Sequence, residues 1–307
     1  MSEIIFSDTL ATQNLRGKVV VLTGGAQGIG AATVTLLHQL GAHIFFGDLD
    51  TSKALALQSS LTSSPSPDSG TIHFLPLDVT SYSSQLSLFD LALSHHPQID
   101  IAIQLVGVPE PPGNYFSPSH LNLTTVRDEP LPLKQNIDIN LTSVILFSRI
   151  ALAYLSSTPG SNKSIILTSS IAGITEAPGL FSYSSAKHGV IGLMRSLRRF
   201  TPSQFNGIRV NAICPWATDT QMLGGVKKNW EKENMPMNTP KDVAKMILQC
   251  AADETLNGKA VFVGGGRGFD TEEGIDRTLP EWMGKENAEV FLRGQEVLGL
   301  GGDWVDK

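Results

Sequence analysis

The sequence predicts an α/β fold: one Rossmann-type domain with a doubly wound parallel sheet, helices on both faces and a C-terminal extension. Three observations carry the prediction. Residues 18–50, KVVVLTGGAQGIGAATVTLLHQLGAHIFFGDLD, run in order through an apolar β-branched strand, a glycine turn, a helical pattern and a second apolar strand. Further apolar runs follow at Thr71–Leu77, Ile99–Val106, Ser164–Thr168, Ile208–Ile213 and Ala260–Val263, most of them separated by helix-length segments. No repeat period and no Gly-, Ser- or Pro-rich linker divides the 307 residues. The chain therefore reads as a single dinucleotide-binding and catalytic domain over 1–307, with a core at about 15–265 and a tail at 268–307 that carries Trp282, Phe291, Leu298 and Trp304.

Composition narrows the function classes. Hydrophobic residues make up 41% and charged residues 17% of the chain, as in a globular protein. A net charge of −6 with no dense Lys/Arg stripe gives no footprint for a nucleic-acid backbone. The first residues lack a signal-peptide pattern, and no segment approaches the roughly 20 apolar residues of a membrane span, so no membrane partner and a cytoplasmic location are expected. Two cysteines, Cys214 and Cys250, are too few for a disulfide framework and read as packing residues in a reducing compartment. The sequons at Asn122, Asn140 and Asn162 carry no weight without a secretory signal. Seven scattered histidines, with His95 and His96 adjacent and solvated, give no metal site. Two stretches break the alternation: a turn-rich loop at Ser63–Gly70 and a long proline-containing segment at Gly107–Lys134, of the kind that often carries function.

The cofactor end is read from the first strand-to-helix turn. In Thr23-Gly-Gly-Ala-Gln-Gly-Ile-Gly30, Gly24, Gly28 and Gly30 let the backbone approach a pyrophosphate that helix N–H groups face. Gln27 and Ile29 are the neighbouring candidates. Asp48 ends the second strand, at the distance where a carboxylate accepts from an adenosine ribose diol, or is an exposed turn aspartate. The ribose role favours NAD over NADP, because none of Ala26, Gln27 or Leu49 offers the positive charge a 2′-phosphate needs. Leu49 is a further contact candidate. Asp78 stands ready to accept from an adenine amino group while Val79 supplies a backbone contact, or it caps the next helix.

The catalytic end is read from spacing. Ser169-Ser-Ile-Ala-Gly173 follows an apolar strand, and Tyr183-Ser-Ser-Ala-Lys187 opens a helical pattern thirteen residues after Ser170. Tyr183 and Lys187, at i and i+4, share one helix face. A tyrosine with a pKa near ~10 is a poor base until a cation favours its phenolate, and a value near 7 corresponds to roughly 4 kcal/mol of differential stabilisation. Lys187 and an oxidised nicotinamide are the expected cations. Ser170 would hold the substrate oxygen, Lys187 the nicotinamide ribose, and Asn140 a water relaying protons from Lys187 to solvent.

Together these residues resemble the short-chain dehydrogenase/reductase family, in the branch with a TGxxxGxG turn and an Asn-Ser-Tyr-Lys tetrad. The resemblance covers about residues 15–265. It implies that Gly24, Gly28, Gly30 and Asp48 carry the cofactor, that Asn140, Ser170, Tyr183 and Lys187 carry the chemistry, and that Pro215–Thr220, with Pro215, Trp216, Thr218 and Thr220, contact the nicotinamide. Two departures stand on the cofactor side. The family's Asn-Asn-Ala-Gly segment reads Gln104-Leu-Val-Gly107, leaving Gly107 and the adjacent backbone for the ribose and removing the usual support of the central strand. The usual Pro-Gly reads Pro215-Trp216, so Trp216 either shapes an apolar pocket or is a packing residue. Within the family the chain looks most like fungal enzymes similar to 15-hydroxyprostaglandin dehydrogenase, from Ile213-Cys-Pro215 and a tail with Gly301-Gly-Asp-Trp304. That likeness implies oxidation of a secondary alcohol on a lipophilic or natural-product skeleton, by a homodimer or homotetramer. A cofactor-retaining isomerase or cyclase, and a catalytically silent dinucleotide sensor, are the competing readings. The tetrad argues against the sensor.

Overall fold

The computed structural model describes residues 2–63 and 68–299. Residues 64–67 of the turn-rich loop, and Trp304 with the Gly301–Trp304 end of the tail, lie outside the described residues. The strands are β1 (Glu3–Ile4), β2 (Val19–Thr23), β3 (His43–Asp48), β4 (Ile72–Pro76), β5 (Ile101–Gln104), β6 (Ser164–Thr168), β7 (Arg209–Pro215), β8 (Ala260–Gly264) and β9 (Arg267–Asp270). They form one sheet in the order β1-β9-β8-β7-β6-β5-β2-β3-β4. β2 to β8 pair in parallel, while β8–β9 and β9–β1 pair antiparallel.

The sheet is apolar on both faces because helices cover both. Every residue of β2 is buried, and its side chains alternate between two cores. Val20 and Leu22 join the core under helices 28–39 and 240–252, with Val34, Leu37, Val243 and Ile247. Val19 and Val21 join the other, with Leu88, Phe147, Ala151, Val190 and Met194 from helices 82–95, 143–157 and 181–204. Strand order reverses between β2 and β5, so a crevice opens at their carboxyl ends, where a doubly wound sheet binds its ligands.

All five later apolar runs are strands, Ser164–Thr168 with the expected bounds and the other four with shifted ends. β1 and β9 were not foreseen: two and four residues are too short to show a period, and both depend on pairing with an existing edge. The tail thus begins inside the sheet, then forms helices Thr271–Arg277, Leu279–Met283 and Lys285–Leu298. The segment expected to run irregularly to Lys134 turns helical at Leu131. The expectation that no segment approaches membrane-spanning length is also corrected, since the helical run Leu131–Ser157 is long and apolar enough. Half of its most apolar window is buried, with Val144, Phe147, Ala151 and Leu155 in the core, which accounts for its apolarity.

Candidate active site

The glycine turn joins β2 to helix Gly28–Gln39. Gly24 has φ +81°, and a Cβ there would stand 2.9 Å from the Val106 nitrogen, so glycine is required both by conformation and by the close passage of the β5 exit. A Cβ on Gly30 would collide with the Gly24 carbonyl oxygen. Gln27 is the helix N-cap and makes no side-chain cap, leaving first-turn N–H groups facing the crevice. Asp48 supports this turn directly: Oδ2 accepts from Ala26 N at 2.9 Å and Oδ1 from Asp50 N at 3.0 Å. Leu49 beside it is 78% exposed.

Lys53 was missed by sequence reasoning. Its ammonium donates to Gln27 Oε1 at 2.8 Å and pairs with Asp50 Oδ2 at 2.8 Å, which brings a positive charge to the Asp48 end of the crevice. The signal was present as a lysine three residues after a helix N-cap, but a charge at an exposed first turn has no distinguishing pattern. Asp78 Oδ1 accepts from the Thr80 N–H and hydroxyl at 2.9 and 2.7 Å, so it shapes the turn, while the helix-capping alternative is corrected: Ser81 caps helix Tyr82–His95. Val79 turns its side chain into the core, and its carbonyl accepts from Gln85 at 2.6 Å.

On the other side of the crevice, one cavity of about 620 Å³ gathers Ile29, Gly107, Ser170, Tyr183, Lys187, Pro215, Trp216, Thr218 and Thr220. Ser170 leaves β6 and caps the short helix Ile171–Gly173, its Oγ accepting from Ala172 N at 3.2 Å. Its hydroxyl also donates to Pro215 O at 3.5 Å. Tyr183 and Lys187 lie in helix Phe181–Gln204, with Lys187 Nζ 5.6 Å from the Tyr183 ring centre and donating to Thr168 O at 3.0 Å. Burial pushes the Tyr183 phenol above its usual value, against the pull of Ser170, and pushes the Lys187 ammonium down to about 8. Burial thus opposes the phenolate that the mechanism needs, while Lys187, at about 8, keeps its ammonium form at neutral pH.

Asn140 lies outside the cavity lining, at the centre of a π-helical turn, Asp138–Thr142, of the kind common at functional sites. Its side chain forms a clasp. Oδ1 accepts from Val108 N at 3.1 Å, while Nδ2 serves Val108 O at 3.0 Å and the backbone and side-chain oxygens of Asn136 at 3.1 and 3.0 Å. The clasp still touches the site, because a Cβ on Gly107 would stand 3.1 Å from Asn140 Oδ1 and 3.3 Å from Lys187 Nζ.

Gln104, in the place of the family's asparagine, donates to Val106 O at 2.9 Å and so ties down the β5 exit. Trp216 is a half-covered plate on the cavity wall, met edge-on by Trp230 at 5.2 Å and 89°, whose indole N–H is fixed to Pro236 O at 2.9 Å. Glu110, also unforeseen, lines the same cavity and bonds the first turn of helix 181–204. None of the lining comes from the described tail. Both cysteines are buried and unpaired, their thiols pushed up to about 12 by burial. No group of His, Cys, Asp and Glu able to hold a metal occurs among the described residues.

The crevice fits a dinucleotide. The backbone cradle at Gly24 and Gly30 would be filled by any side chain, and the Thr168 hydroxyl and Gln104 Oε1 are buried without a partner among the described residues. A short chain dehydrogenase family model matches residues 18–231. The 5′-hydroxyaverantin dehydrogenase of Dothistroma septosporum is 30% identical, covering 92% of this chain and 95% of its own length. The (+)-borneol dehydrogenase 1 of Salvia officinalis is 29% identical over 85% of this chain and 97% of its own. A dehydrogenase/reductase from Sinorhizobium meliloti 1021 has the same fold, with a TM-score of 0.69 at 21% identity, covering 85% of this chain and 99% of its own.

Proposed function

The chain belongs to the short-chain dehydrogenase family, and on that premise we propose that it moves a hydride between NAD and a secondary alcohol or ketone carbon of a lipophilic, natural-product-like substrate. Family membership gives an oxidoreductase with a nicotinamide dinucleotide cofactor. The observation that carries the finer reading is the meeting of Ser170, Tyr183 and Lys187 on one cavity that opens to the glycine-turn crevice and is walled by Trp216, Leu180, Met222 and Val226. Two relatives are named for alcohols they dehydrogenate, 5′-hydroxyaverantin and (+)-borneol, which supports a secondary alcohol on an apolar skeleton. The resemblance to enzymes similar to 15-hydroxyprostaglandin dehydrogenase enters only through that same substrate class.

Bound in the crevice, the cofactor would supply the hydride acceptor or donor and, when oxidised, a positive charge. Gly24, Gly28 and Gly30 hold its pyrophosphate and Asp48 its adenosine ribose; Gly107, Lys187 and the Pro215–Thr220 segment hold the nicotinamide half. Ser170 donates to the substrate oxygen. Tyr183 takes the hydroxyl proton when an alcohol is oxidised and returns it when a ketone is reduced, so the same groups serve both directions. Burial raises the phenol further above its ordinary value, so positive charge near it, that of Lys187 and of the oxidised cofactor, is what would favour Tyr183 as a base. Trp216 offers a fixed aromatic plate against the substrate skeleton.

The NAD preference rests on Asp48, with Lys53 balanced by Asp50. A homodimer or homotetramer belongs to the same proposal. So does a cytoplasmic location, which the unpaired buried cysteines support. Calorimetric titration with NAD and NADP, followed by a panel of secondary alcohols and ketones read by nicotinamide absorbance, tests the whole reading. NAD is expected to bind at least about tenfold more tightly than NADP, with a substrate-dependent absorbance change. Product without net absorbance change would replace the dehydrogenase by the isomerase or cyclase, and binding with no turnover of any compound would favour the sensor.

A further inference from the structure

Helix Phe181–Gln204 has no side-chain cap of its own, because its N-cap is Leu180. Its second and third residues are Ser182 and Tyr183, whose N–H groups lack intrahelical partners and are those a capping side chain serves. Glu110, more than seventy residues earlier in the chain, takes that place. Oε2 accepts from Tyr183 N at 2.7 Å and from the Ser182 hydroxyl at 2.9 Å, and Oε1 from Ser182 N at 3.2 Å. A carboxylate there also meets the positive end of the helix dipole. The residues just before it are held from the opposite side, Val108 by Asn140 and Pro109 O by Asn136 Nδ2 at 2.7 Å.

We propose that Glu110 is a positioning residue: its carboxylate clasps the first turn of the catalytic helix to the Gly107–Glu110 segment and thereby sets the height of Tyr183 over the substrate carbon. The inference rests on the dehydrogenase reading. The backbone nitrogen of Tyr183 is itself one of the bonded groups, so losing the clasp frees the residue that must be placed most accurately. Small displacements of a reacting group cost rate more than they cost binding.

The test uses the full chain with Glu110→Ala and Glu110→Gln, comparing kcat, KM, the NAD dissociation constant and amide hydrogen exchange over residues 181–184. Glu110→Ala is expected to lower kcat by about 10- to 100-fold and to speed exchange at the first turn by about tenfold. NAD affinity should stay within about twofold. Glu110→Gln, which keeps an acceptor oxygen, should recover most of kcat and of the protection. Unchanged first-turn exchange in Glu110→Ala would overturn the proposal, as would a kcat within twofold of the parent. Equal failure of Glu110→Gln with its exchange protection intact would overturn it too, by assigning Glu110 a proton rather than a place. The exchange readout needs no turnover, so an inactive parent protein would sink the dehydrogenase reading while leaving the clasp itself still measurable.

Discussion

The two ends of the crevice work by different means. At the β2 end the functional surface is backbone from which side chains are missing: Gly24 at φ +81° and Gly30 against the Gly24 carbonyl make room for a ligand that main-chain N–H groups can hold. At the β6 end it is made of side chains, with Ser170 and Lys187 buried and Tyr183 half-buried, and burial pushes the phenol up and the ammonium down. The first end is rigid by exclusion of volume. The second is poised by desolvation, and it depends on contacts from distant segments, Asn140 through Val108 and Glu110 through Tyr183. Binding should therefore fail at one end and chemistry at the other.

The largest expected effect isolates the chemistry. Tyr183→Phe removes the phenol hydroxyl from the cavity it shares with Ser170 and Lys187 while keeping the ring, and kcat should fall by roughly 10³-fold or more with NAD binding measurable by calorimetry. Full turnover in that variant would end the proposed mechanism. The converse change is Gly24→Ala. A left-handed alanine costs roughly 1–2 kcal/mol, before any clash with Val106 is counted. NAD should bind at least about tenfold more weakly, with kcat at saturating NAD retained within a few fold. Equal losses in kcat and affinity would mean that the two ends are coupled. Between them stands Trp216→Gly, which removes the plate that Trp230 holds edge-on. Selectivity between bulky and small alcohols should shift by about tenfold with little change in NAD affinity. Unchanged selectivity would return Trp216 to packing.

The same contrast explains what the sequence made legible. The glycine turn is a local pattern whose meaning follows from the strand before it and the helix after it, so the sheet's parallel strands and the β2 end could be read directly. Ser170, Tyr183 and Lys187 were legible because thirteen- and four-residue spacings fix their relative places. Asn140 was legible from the family resemblance, but its side-chain partners Val108 and Asn136 were not, because they are chosen by tertiary approach. Glu110 and Lys53 carry no local signature. Each acquires its role from a partner in another element, Tyr183 for one and Gln27 for the other. β1 and β9 exist only because the edge of an already formed sheet offers them a ladder.

The smallest expected effect lies away from the crevice, at the far edge of the sheet, and tests whether desolvation matters outside the site as well. The histidine pair read as solvated belongs to a ring cluster: His43 lies 4.4 Å from His96, His73 lies 4.4 Å from His95, and His73 stacks on the buried Phe45 at 4.8 Å. Burial, followed by the neighbouring histidines, lowers the pKa of His73 and of His96, with Asp100 opposing the fall at His96. A histidine whose folded pKa lies below its unfolded value of about 6.5 binds protons better unfolded, so its stabilisation is complete above about pH 6.5 and is lost as pH falls through the folded value. Melting temperature should therefore drop between pH 7.5 and 5.5. His73→Phe keeps the stack on Phe45 and removes one titrating ring, so it should shrink that drop by on the order of 1–3 °C. Thermal melts of both proteins at the two pH values decide it. An identical drop would mean that His73 contributes nothing to the loss of stability in acid and that its burial against Phe45 leaves its protonation unaltered.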